Sequence, residues 1–171
     1  MRTSKTAISL LALLGMGFLT SALAAQNAPR STADSVRGHF HSINSRVLEM
    51  AKDFPEDKYD FKLKPEMRSF GEVLVHVASG NVYAAKAAHG EKVNWDELDA
   101  KDYKGKAAIV DMLQKAITDS ENAMKSLPDD VFSKRVEPWL SVTEHSAEHY
   151  GLLVAYYRAN GLVPPASRPS K

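Results

Sequence analysis

The stretch Val142-Thr143-Glu144-His145-Ser146-Ala147-Glu148-His149-Tyr150 decides how the chain is read. Its two histidines are four positions apart, so on an α-helix they lie one turn above the other on one face. There they are within reach of a single metal ion. The same row continues through apolar residues, from Val142 ahead of His145 to Leu152 and Tyr156 beyond His149. A row with that period is expected to face a helical core. An imidazole buried without a partner is costly, so the pattern asks what satisfies both rings, and a metal ion is the sharpest answer.

Reading outward from this stretch, Pro138 suits a first helical turn, and Gly161 with Pro164-Pro165 stops the helix near Asn160. Upstream, Ile109, Leu113, Ala116, Ile117, Met124 and Leu127 recur at helical spacing from Lys106 to Ser126, closed by Pro128-Asp129-Asp130, with Val131 to Val136 as a link. Further upstream, Ser69 with Glu72 reads as a capping box opening a helix with the stripe Phe70, Val73, Leu74, Val77, Ala84 and Ala88. That helix ends near His89 and Gly90, and His76 sits on the shoulder of its stripe beside Gly80 and Tyr83. The first amphipathic helix runs from Thr32 to Lys52 through Val36, Phe40, Ile43, Val47, Met50 and Ala51, with His39 and His41 flanking the stripe on opposite sides. Two long links carry aromatic plugs: Phe54, Tyr59 and Phe61 in the first, Trp95 and Tyr103 in the second. The tail from Ala166 to Lys171 is expected to be loose.

Four such helices without alternating strand patterns predict an all-α protein, a four-helix bundle with long inter-helix connections that leave room for crossovers. The 171 residues are 44% hydrophobic and 25% charged, ordinary for one globular domain. The first 24 residues stand apart: Arg2 and Lys5 precede an apolar run from Ala7 to Leu19, and Ala22-Leu23-Ala24 offers small residues for cleavage. They read as a secretory signal peptide, leaving 25–171 as the folded domain, exported to the periplasm or the outside. A membrane anchor is the competing reading, but the run is short for a bilayer and broken by Gly15, Gly17 and Thr20. Without Arg2 and Lys5, 20 of the 22 basic residues face 21 acidic ones. That near-neutral balance points away from nucleic acid and from an anionic membrane as partners. With no cysteine, the chain has no disulfide and no thiolate ligand or nucleophile, so any metal must be held by histidine, carboxylate or water.

Bundles build metal sites from side chains projecting inward from facing helices. Three neutral imidazoles, His145 and His149 with His76, leave one or more positions open on a divalent ion, the arrangement of a potentially catalytic site. Zn or Ni fits best, with Fe, Mn or Cu also compatible with imidazole ligands. The run His145-Ser146-Ala147-Glu148-His149 also matches the H-x-x-E-H pattern, which would make Glu148 a general base. Only 22 residues follow His149, which leaves little chain for the further acidic ligand that pattern requires. Glu144 and Glu148 are then either a solvated edge or acceptors that orient an imidazole N–H. Trp139, Tyr150, Tyr156 and Tyr157 read as core aromatics before pocket walls.

The run Arg68-Ser69-Phe70-Gly71-Glu72 leading to His76, together with Glu144 to Gly151, Tyr157-Arg158 and Asn160-Gly161-Leu162-Val163-Pro164-Pro165, resembles the DinB superfamily. The resemblance covers essentially the whole chain after the leader. It implies a four-helix bundle of unusual long-connection topology holding a divalent metal through one histidine of the second helix and two of the fourth, here His76, His145 and His149. Some members are transferases or isomerases that work with small thiols, so the resemblance admits a metal-dependent, thiol-linked transferase or hydrolase acting on a small molecule. The alternative is a non-catalytic bundle, homodimeric or not, that the metal staples together.

Overall fold

Helix α1 (Thr32–Asp53) carries the first apolar stripe as expected, with Phe40, Val47, Met50 and Ala51 almost wholly buried. The computed structural model describes residues 30–88, 90 and 92–169, so the leader read over the first 24 residues and His89 lie outside it. Helix α2 (Phe70–Ala87) opens on the capping box that the sequence predicts. Ser69 Oγ accepts the Glu72 N–H at 3.2 Å, and a Glu72 carboxylate oxygen accepts the Ser69 N–H at 2.6 Å. Helix α3 (Gly105–Ser126) follows, then a short α4 (Asp129–Lys134) and the long α5 (Glu137–Ala159). Gly161, at φ 69°, turns the chain out of α5 in a conformation that a side chain disfavours.

The protein is an all-α bundle with no strand among the described residues. Its wiring is not up-and-down. Helix α2 packs against α3 and α5, and α1 packs against the same two, which puts α1 and α2 on a diagonal. The link between them must span that diagonal, which explains its length and its plugs. Phe54 is fully buried and stacks on Phe70 at 3.8 Å, and the Tyr59 hydroxyl donates to the Ala51 carbonyl at 2.5 Å. Burying one such ring is worth about 2–3 kcal/mol, enough to hold a link that no regular hydrogen-bond ladder supports. No helix among the described residues is long and apolar enough to cross a membrane.

Three features depart from the sequence expectations. The segment Val131 to Val136 is not a plain link, because Asp129–Lys134 forms α4, started by Pro128 and anchored by Phe132, which is fully buried against Trp139. The described part of the tail is docked: Arg168 clamps Asp53 with two bonds of 2.5 and 2.8 Å after a helical turn at Pro165–Ser167. The row of His145 and His149 is buried at Val142 and Tyr156 as expected, but both histidines and Leu152 lie at the boundary, because the buried face of α5, on Trp139, Val142, Ser146, Leu153, Tyr156 and Tyr157, is centred about one position away.

The core also contains a polar knot that hydrophobic patterning does not reveal. Asn44 of α1, Asn81 of α2 and Ser146 of α5 are all completely buried. Asn44 Oδ1 accepts from Asn81 Nδ2 and from Ser146 Oγ, each at 3.1 Å, so one side chain ties three helices. The Asn44 amide donates back to the Phe40 carbonyl at 3.0 Å.

Candidate metal centre

Helix α5 holds His145 and His149 on one face, and α2, packed beside it, brings His76 to the same place. The three ring centroids lie 4.4 to 4.7 Å apart. One nitrogen from each ring falls within 4.8 Å of the others, a geometry compatible with metal binding. The closest pair is His145 Nε2 and His76 Nε2 at 2.9 Å, the separation of a shared hydrogen bond. Two ligands of one tetrahedral ion stand about 3.4 Å apart, so taking up an ion would open this pair by about half an ångström. His149 Nδ1 donates to the His145 carbonyl one turn back at 2.9 Å, which leaves its Nε2 free.

Electrostatics favours neutral rings. Burial lowers the pKa of His145 to about 4, helped by the neighbouring His149, His76 and Arg68. His76 is lowered by burial and then by Arg68, with Glu97 opposing. At neutral pH both rings therefore keep a lone pair available, the form in which imidazole binds a metal.

The link between α2 and α3 closes one side. Trp95 meets His145 edge to face at 4.9 Å and stacks on Tyr83 at 5.1 Å. It fits because residue 80 is glycine: a Cβ there would sit 2.5 Å from the indole ring and 3.3 Å from His145 Nδ1. Next along the link, the Leu98 N–H donates to the buried Ser79 Oγ at 2.9 Å, and Glu97 Oε1 lies 2.6 Å from His76 Nδ1. That approach is close in distance but not aligned as a hydrogen bond, since Nδ1 has no partner of good angle. A groove of about 300 Å³ runs from His76 past Arg68, Met67, Glu97 and Leu98 to solvent. A larger groove of about 540 Å³, between Tyr59 and Tyr103, holds none of the three histidines.

Other candidates fall away from the cluster. His39 and His41 are exposed, and His41 Nδ1 pairs with Glu121 at 2.7 Å. Glu144 and Glu148 are exposed, and the carboxylate that approaches an imidazole is instead Glu97. Trp139, Tyr156 and Tyr157 are fully buried core residues, and Tyr150 is half-buried. Glu97 escapes sequence reasoning because a loop residue has no periodicity; its only signal is its place two residues after Trp95 in an otherwise polar link.

These features define a class: a helical bundle with a three-imidazole cluster set at the boundary between two long helices. The sequence profile of the DinB superfamily matches residues 39–157, from α1 to nearly the end of α5. The chain belongs to the DinB superfamily. A search of curated proteins finds no match.

Proposed function

We propose that His76, His145 and His149 hold one divalent transition-metal ion through their Nε2 atoms, and that the ion keeps open positions for a small ligand. The observation that carries this reading is the convergence of three ring nitrogens within 4.8 Å at a boundary position. Charge supports it, because burial keeps His76 and His145 neutral. The ligand set suits Zn or Ni first, and Fe or Mn next. Such an ion supplies Lewis-acid chemistry, polarising a carbonyl or lowering the pKa of a water or thiol. The protein's own part is to present three lone pairs, to wall the site with Trp95, and to leave the groove beside His76 and Arg68 as an entry.

The reaction class is a metal-dependent, thiol-linked transfer or a hydrolysis on a small molecule. A purely structural staple is the second reading, and the bridging of α2 to α5 by His76 and His145 favours it. The proposal extends to export: the apolar leader is the support, and the N-terminal residue of the protein recovered from a periplasmic or culture fraction tests it.

Elemental analysis of the purified chain, reconstituted with Zn or Co, is the decisive experiment. One ion per chain is expected, falling to none when the histidines are substituted singly with alanine. Absence of stoichiometric metal in the reconstituted protein would overturn both readings. Addition of azide or a small thiol should then perturb the visible spectrum of the Co-loaded protein; an unresponsive spectrum leaves the staple as the function.

A further inference from the structure

Glu97 lies outside every helix and outside the histidine set, yet it is held in place from three sides. On its C-terminal side, the Leu98 N–H is fastened to Ser79 Oγ, itself 1% exposed and donating to the Val75 carbonyl of α2 at 3.1 Å. On its N-terminal side, Trp95 is seated in the notch left by Gly80. Across the groove, Arg68 Nη2 stands 3.5 Å from the same Oε1 that approaches His76. Arg68 is in turn fixed by its backbone, because the Tyr156 hydroxyl donates to its carbonyl and the next residue is the Ser69 cap. Glu97 is half exposed, so its place beside His76 is not forced by burial.

We propose that Glu97 is the positioning residue of the metal centre, holding His76 as the tautomer that carries its proton on Nδ1 and offers Nε2 to the ion. This rests on the metal reading above. A carboxylate only accepts hydrogen bonds, so a ring nitrogen 2.6 Å from it must carry the hydrogen. The opposite nitrogen then keeps its lone pair, and it is the one 2.9 Å from His145 Nε2. Turning the ring so that the Nδ1–H points at Oε1 would convert the off-line approach into a full bond. A carboxylate on the far nitrogen also makes the ligand nitrogen a stronger donor, and loss of such a partner typically weakens metal binding about 10–100-fold. His149 has its own orienting acceptor in the His145 carbonyl, and Glu97 stands in the same relation to His76 of α2, whereas His145 Nδ1 is buried without an acceptor.

The test compares Co(II) affinity, by competition with a chelator, in the full chain and in Glu97→Ala, Glu97→Gln and Glu148→Ala. Wild type should bind one Co(II), and Glu97→Ala should bind about 10–100-fold more weakly. Glu97→Gln, whose amide oxygen still accepts from Nδ1, should recover most of the loss, and Glu148→Ala should match wild type. Proton NMR of the Co(II) protein adds a signature that a merely structural role would not move: the shifted ring N–H signal of His76 persists in wild type and Glu97→Gln and exchanges away in Glu97→Ala. If wild type binds no Co(II), the metal reading itself falls. If wild type binds and Glu97→Ala matches it in affinity and in that signal, only the role of Glu97 falls.

Discussion

Two polar clusters stand side by side on α5, and neighbouring residues feed them. Ser146 turns into the core and donates to Asn44, closing a knot with Asn81. His145, one residue earlier, turns to the boundary and faces His76. The first cluster is sealed, and its donors and acceptors are consumed by one another and by helix carbonyls, save Asn81 Oδ1, which is buried without a partner. The second leaves ring nitrogens converging on a point beside a groove. A buried polar group specifies a fold when its partners are all inside the protein, and it specifies a ligand when one partner is left to be supplied. Both clusters link α2 to α5; only the second is arranged to accept something from outside.

The largest effect should come from breaking the open cluster. His149→Ala should weaken Co(II) or Zn binding by more than about 100-fold, beyond what loss of an orienting neighbour causes. The metal-free protein should keep its stability within about 1 kcal/mol, since the ring sits at the boundary, as urea titrations would read. A large loss of metal-free stability would erase the contrast. Asn44→Leu should do the reverse: Asn81 and Ser146 lose their shared acceptor, costing about 2–4 kcal/mol in the same titrations. Metal stoichiometry per folded chain should stay at the wild-type value, and a variant that folds but binds no metal would show that the two clusters act as one.

Gly80→Ala sharpens the comparison from the side of the wall. Alanine is favoured over glycine by about 1 kcal/mol within a helix, but its methyl displaces Trp95. The two terms oppose, so stability should move by less than about 1 kcal/mol. Trp95 emission should shift to the red, measured with Trp139→Phe as the common background; an unmoved spectrum would mean that the indole is not seated in the notch.

The smallest effect belongs to the tail. The Arg168 guanidinium holds the Asp53 carboxyl below the usual carboxylate range, aided by the Tyr157 hydroxyl. A carboxyl lowered in the folded state favours folding fully above about pH 4 and loses that contribution as pH falls through its folded value. Arg168→Ala should therefore lower the melting temperature slightly at pH 7 and by less at pH 2. An equal loss at both values would assign the effect to packing rather than charge.

Much of this was legible in the residues. The stripes of α1, α2, α3 and α5 were readable because apolar side chains repeat with the helical period, and the Ser69–Glu72 box because its chemistry is local. His145 and His149 could be paired from their spacing alone, whereas His76 needed either a family resemblance or the packing of α2 on α5. Asn44, Asn81 and Ser146 were invisible, since a polar residue on a buried stripe looks like an interruption until its partners on other helices are known. Glu97 and Arg168 were hidden for a related reason: each acts through a contact made by tertiary folding, in a segment with no period to read. The six residues of α4 were too few to show one.

The diagonal placement of α1 and α2 bears on how the protein comes into being. His76 and His145 are 69 residues apart, and the helix carrying the second is the last long one among the described residues. A nascent or truncated chain ending before α5 holds only His76 of the three. An unfolded chain offers at most the local pair His145 and His149, a weak chelate. Capture of the proposed ion would thus require α5 to be docked, and such an ion would act as a latch on the assembled bundle, stabilising it in proportion to the logarithm of free metal.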